Sequence, residues 1–141
     1  MSVTRTFTVT VSNPGSGNKY YIDSVLQDTV TLGETGTYKF DQADSSNSGH
    51  PFRFSTTSDG THGGGSEYTT GVTTNGTPGE AGAYTQIVVA ESAPTLYYYC
   101  ANHSGMGGQA DTVTDNTWGI FAWGNNEWND QGSIYISLTA P

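Results

Sequence analysis

The sequence predicts an all-β protein, a sandwich of two sheets made of about seven or eight short strands. Three observations carry this. Thr, Val, Ile and Tyr occur in short runs separated by Gly-rich turns. Several runs alternate apolar and polar residues, the period of a half-buried strand. No segment shows a sustained helical period of apolar residues.

The elements follow in order. Residues 6–11 alternate, with Phe7, Val9 and Val11 on one face. Asn13-Pro14-Gly15-Ser16-Gly17-Asn18 is a turn. Residues 19–26 and 29–32 are the next strands, and Gly33-Glu34-Thr35-Gly36 turns into a strand over 37–41. A polar loop over 42–49 leads to His50-Pro51-Phe52-Arg53-Phe54-Ser55. Its alternation sets His50, Phe52 and Phe54 on one face and Arg53 on the other. Residues 58–78, rich in Gly, Ser and Thr, read as a long loop with a short strand at 67–72.

Strands follow at 84–89 and 95–100, joined by the turn Glu91-Ser92-Ala93-Pro94. The second puts Leu96, Tyr98 and Cys100 on one face. Beyond Val113, Trp118, Trp123 and Trp128 recur every five residues, with Gly after the first two. That period matches no single face of a strand or a helix, so a turn-rich arm suits it better. The chain closes with a strand over 133–138, Ile134, Ile136 and Leu138 pointing inward. The organisation expected is a sandwich over residues 4–113 and a Trp/Gly-rich extension over 114–141.

With 141 residues the chain suits one domain with an appendage, long enough to bury a core. Its formal net charge is -9, from 13 acidic and four basic residues. No basic face for phosphate is available, which argues against nucleic acid and against an anionic membrane surface as partners. No run is long enough to span a bilayer. The first residues carry no basic and apolar signal-peptide pattern, so the chain is expected to be made in the cytoplasm. A single Cys excludes an intrachain disulfide.

The chemistry concentrates in Cys100-Ala101-Asn102-His103-Ser104-Gly105-Met106, which follows the β-prone run Thr95-Leu96-Tyr97-Tyr98-Tyr99. A thiolate, an imidazole and a thioether fall within seven residues. These are the soft and borderline ligands of a blue-copper site, where two His and one Cys bind in a plane and a Met sits weakly on the axis. His50 supplies the missing imidazole from a different strand. Zinc suits the set less well, since Met is a poor zinc ligand and a fourth hard ligand is not obvious. His62 reads as a solvated loop residue rather than a ligand. With three His in all, a multicopper oxidase cluster cannot be assembled.

Other catalytic patterns fail. Asp59 and His62 are neighbours, but no Ser in an elbow motif completes a triad. Gly63-Gly64-Gly65 lacks the Lys of a phosphate loop. Asp41, Asp44, Asp111 and Asp115 match no calcium-loop spacing.

On these residues the chain resembles the cupredoxin, or blue-copper, family over roughly residues 4–113. The resemblance implies a Greek-key β-sandwich with one mononuclear type 1-like copper ion held by His50, Cys100, His103 and Met106. The Cys-x2-His-x2-Met spacing is that of a short ligand loop, and the stretch from Met106-Gly107-Gly108 to Val113 resembles the closing strand. Many members carry an Asn after the first His that hydrogen-bonds near the Cys. Pro51 stands there, so that bond is either missing or supplied from elsewhere, with Asn47 and Asn102 as the candidates.

Two uses of the fold follow. The stretch Asp44 to Thr57, the stretch Gly60 to Gly65 and the Trp-Gly tail resemble cupredoxin-like domains in structural proteins of tailed marine phages. That implies a non-enzymatic virion subunit, capsid decoration or tail-associated, with a mainly structural metal. Its partners would be other virion proteins or copies of itself, met through Trp118, Trp123 and Trp128. The alternative is a soluble blue-copper electron carrier with the exposed edge of His103 as its electron port.

Overall fold

A computed structural model describes residues 3–114. Trp118, Trp123, Trp128 and the strand expected at 133–138 lie outside the described residues. Among the described residues the strands are β1 (Arg5–Ser12), β2 (Lys19–Ile22), β3 (Val25–Leu26), β4 (Val30–Gly33), β5 (Thr37–Asp41), β6 (Phe52–Ser55), β7 (Glu67–Tyr68), β8 (Val72–Asn75), β9 (Tyr84–Val88), β10 (Leu96–Cys100) and β11 (Gly108–Val113). Short 3-10 turns occupy Ser45–Asn47 and Gly60–Gly63. No helix among the described residues is long and apolar enough to cross a membrane.

The strands form two sheets, ordered β3-β2-β1-β5-β9-β8 and β4-β11-β10-β6-β7. β1 runs parallel to β5, and β11 runs parallel to β4, while the other pairings are antiparallel. This is the all-β sandwich of two sheets that the sequence predicts, built among the described residues from eleven strands, several of them short, rather than seven or eight.

Strand alternation builds the core. β1 turns Phe7 and Val9 inward, β5 turns Tyr38 and Phe40, and β6 turns Phe52 and Phe54. β10 adds Leu96, Tyr98 and Cys100. Phe7 stacks on Phe40 at 4.8 Å, Phe40 on Phe52 at 4.8 Å, and Phe52 on Tyr98 at 5.0 Å. A column of rings therefore crosses from one sheet to the other and ends beside β10. Burying each ring contributes about 1.5–3 kcal/mol.

The structure departs from expectation where local signals were silent. Residues 19–26 are not one strand but the hairpin β2–β3, turned at Asp23-Ser24 with φ of 48° and 70°. Asp tolerates this left-handed backbone, and its carboxylate accepts the Thr8 N–H at 2.8 Å and an Arg5 N–H at 3.0 Å. The strand expected at 67–72 is two strands in different sheets, since β7 pairs with β6 and β8 with β9. The expected polar loop at 42–49 contains two fully buried side chains, Gln42 at 1% and Asn47 at 0% exposure. Tyr99, outward by alternation, is buried because the Gly60–Gly63 turn covers that face of β10.

Candidate metal centre

Cys100 is the register partner of Phe52 across β10 and β6. That pairing brings the end of β10 beside the start of β6, and His50 lies just before β6 rather than within it. His103 and Met106 follow in the loop from β10 to β11. Cys100 Sγ lies 3.7 Å from His50 Nδ1 and 3.6 Å from His103 Nδ1. The donor atoms of these three residues all lie within 4.8 Å of one another, and the two imidazole rings are 4.7 Å apart. Cys100, His50 and Met106 are buried, whereas His103 is exposed. Met106 belongs to the same buried cluster as Cys100, Tyr98 and Tyr20.

The spacing can be tested against a bound ion. A metal about 2.3 Å from sulfur and about 2.0–2.1 Å from nitrogen sets the two donors about 3.5–3.8 Å apart at angles between tetrahedral and trigonal. Both observed separations fall in that range. The cluster brings no carboxylate and no second thiol among the described residues. Two imidazoles, a thiolate and a nearby thioether fit a mononuclear type 1 copper ion.

Electrostatics favour ligand-ready forms. Burial, and then the neighbouring His103, lower the His50 pKa from its usual value, so the ring keeps a free lone pair. Burial, and then the neighbouring Cys100, push the Tyr20 hydroxyl well up, so it stays a neutral donor to the His50 carbonyl.

The backbone around the ligands is held by side chains from several elements. The His50 carbonyl accepts from the Tyr20 hydroxyl at 2.7 Å and from Gln42 Nε2 at 2.7 Å. Gln42 Oε1 also accepts the Phe52 N–H at 3.1 Å, so one buried amide spans both sides of Pro51. The Pro51 carbonyl accepts the Ala101 N–H at 3.0 Å. Asn102 Nδ2 donates to the Gly49 carbonyl at 3.1 Å.

Farther along the loop, the Gly105 carbonyl accepts from Lys19 Nζ at 2.8 Å and Gln27 Nε2 at 3.2 Å. The Met106 carbonyl accepts the Tyr20 N–H at 2.9 Å. Gly107 passes so close to β10 that a Cβ there would sit 1.7 Å from the Tyr98 carbonyl oxygen, so only glycine fits.

Of the two Asn candidates, Asn102 reaches the Gly49 carbonyl, which ties the ligand loop to the segment before His50 rather than bonding beside Cys100. Asn47 points elsewhere: its Nδ2 donates to the Val9 and Asp44 carbonyls, and its Oδ1 accepts from Gln42. His62 is exposed as expected but not free, since its Nε2 lies 2.8 Å from the Cys100 carbonyl oxygen. Sequence reasoning missed Tyr20, Lys19, Gln27, Gln42 and Asp59 around the site. All but Gln42, which is eight residues from His50, act on the backbone across 30 residues or more, and no local pattern reports these contacts.

Beside His103 and Met106 lies a cleft of about 410 Å³, lined also by Ser16, Lys19, Asn102 and Ser104. No protein-family model matches the chain, and no curated protein matches it. Among solved structures the chain is similar to reduced rusticyanin, at 15% identity and a TM-score of 0.46, covering 80% of this chain and 82% of that one. It is likewise similar to a methionine-to-glutamine mutant of rusticyanin, at 14% identity and a TM-score of 0.45, covering 79% of this chain and 80% of that one.

Proposed function

We propose that the chain is a mononuclear blue-copper protein that passes single electrons. The observation carrying this is the convergence of His50, Cys100 and His103 on one point, with a single exposed edge at His103. Copper bound there supplies a one-electron couple. Cys100 and His50 would hold the ion from the buried side, with Met106 as a weaker neighbouring donor. His103, the exposed member of the set, would close the site toward solvent and offer the way in for an electron. The hydrogen bonds to the His50, Gly105 and Met106 carbonyls keep the donors in place in either oxidation state.

Assembly into a virion is a separate proposal, carried by the Trp-Gly phrasing of the tail. It calls for co-purification with particles, and a chain found only as a free monomer would contradict it.

The carrier reading is tested by redox cycling. Copper-loaded protein is expected to bleach on one-electron reduction and recover its colour on reoxidation over many cycles without losing metal. Metal loss on the first reduction would contradict a carrier and favour a purely structural ion.

A further inference from the structure

The segment 59–62 touches the ligand loop at both ends. His62 Nε2 lies 2.8 Å from the Cys100 carbonyl oxygen. A carbonyl only accepts, so the ring N–H sits on Nε2. Asp59 Oδ1 accepts the Gly105 N–H at 2.9 Å, one residue before Met106. Neither residue belongs to the cluster of converging donors.

The segment is shaped for this contact. Asp59 precedes the Gly60–Gly63 turn but makes no side-chain cap to it; its carboxylate reaches across to the loop instead. Its φ of 62° is left-handed, uncommon for a residue with a Cβ. Gly60 lies flat on Tyr99, where an added Cβ would come within 2.4 Å of the ring. The His62 ring meets the same Tyr99 edge-on at 6.2 Å.

The peptide after Cys100 is thereby held at both polar ends, its carbonyl by His62 and its N–H by the Pro51 carbonyl. The Gly105 residue is held likewise, its N–H by Asp59 and its carbonyl by Lys19 and Gln27.

We propose that Asp59 and His62 are positioning residues for the metal centre, a two-point clamp that sets the Cys100–Met106 loop before copper arrives. This rests on reading the site as a copper centre. It also gives the Gly-rich stretch its purpose: the turn must approach β10 closely enough for both side chains to reach.

The test uses four variants of the full chain. Asp59→Gly keeps the left-handed backbone at ease and removes the acceptor, while Asp59→Asn keeps both the acceptor and a tolerance for that backbone. His62→Phe keeps a ring on Tyr99 and loses the N–H, while His62→Gln keeps an N–H donor. In metal-free protein, hydrogen exchange at the Gly105 amide is expected to speed about tenfold in Asp59→Gly and to stay unchanged in Asp59→Asn.

After Cu(II) loading, Asp59→Gly and His62→Phe are expected to bind about ten- to a hundredfold more weakly and to shift the reduction potential and visible band. The Asn and Gln variants are expected to match wild type. Wild-type affinity, band and potential in both disruptive variants overturn the proposal. So does an equal loss in the conservative variants, which would mean packing alone matters. If wild-type protein takes up no copper, the copper reading fails, and the Gly105 exchange comparison alone decides the clamp: unchanged exchange in Asp59→Gly overturns it.

Discussion

His50 Nδ1 and Cys100 Sγ face each other across 3.7 Å although 50 residues separate them in the chain. The contact exists because β6 and β10 pair with Phe52 opposite Cys100. The centre therefore forms only in the folded sandwich, and metal binding and folding are coupled. An ion bound to the folded state alone raises stability by mass action.

The thiolate should be indispensable to that coupling. Cys100→Ser is expected to abolish any visible charge-transfer band and the stabilisation by Cu(II). The metal-free variant should still fold, at a cost of about 1–3 kcal/mol for a buried hydroxyl without a full set of partners. Thermal melts with and without Cu(II) check this; a Cu(II)-dependent rise in the variant equal to wild type contradicts it.

The two imidazoles should behave differently. His103 is exposed, so His103→Ala is expected to change metal-free stability by no more than about 0.5 kcal/mol while sharply weakening copper binding. His50 is 9% exposed, so His50→Ala leaves a buried gap and should lower both. Paired urea melts and copper titrations separate the cases. Equal metal-free losses would show that the burial difference has no energetic weight.

Gln42 should matter more than its loop setting indicates. Its buried amide donates to the His50 carbonyl and to Asn47, and accepts the Phe52 N–H. Gln42→Ala is expected to destabilise the metal-free protein by about 2–4 kcal/mol, since the Phe52 N–H and Asn47 Oδ1 lose their partner in the core. Tyr20→Phe should cost only about 1 kcal/mol at the His50 carbonyl, which keeps its bond to Gln42. Urea denaturation of the two variants gives the comparison, and a reversed order contradicts it.

The lowered pKa of His50 has a signed consequence. Below the ordinary imidazole value of 6.5 the unfolded chain takes up the proton before the folded one does. His50 thus contributes stability above 6.5 that is lost as pH falls through its lower folded value. Metal-free wild type is expected to lose melting temperature from about pH 7 to about pH 5 more steeply than His50→Gln. Parallel pH profiles for the two proteins would remove His50 as a source of the slope.

Much of this was legible in the residues because strand alternation is strictly local. Phe7 and Val9, Phe52 and Phe54, and Leu96, Tyr98 and Cys100 face inward as their period requires. The ligand loop was legible because Cys100, His103 and Met106 are close in sequence. The hairpin at Asp23-Ser24 was hidden because its turn contains no glycine. Gln42 and the Asp59–His62 pair were hidden for a different reason. Their polar side chains look like those of any surface loop, and only tertiary packing directs them onto the backbones of His50, Cys100 and Gly105. The glycines from Gly60 to Gly65 were visible as composition, while the close approach of Gly60 to Tyr99 belongs to the three-dimensional structure.

The visible and EPR spectrum of the protein with one equivalent of Cu(II) tests the central claim most directly. The account expects an intense thiolate-to-copper band, an EPR signal from a single copper species, and a higher melting temperature than the metal-free protein. A colourless protein that melts identically with and without Cu(II) would contradict it.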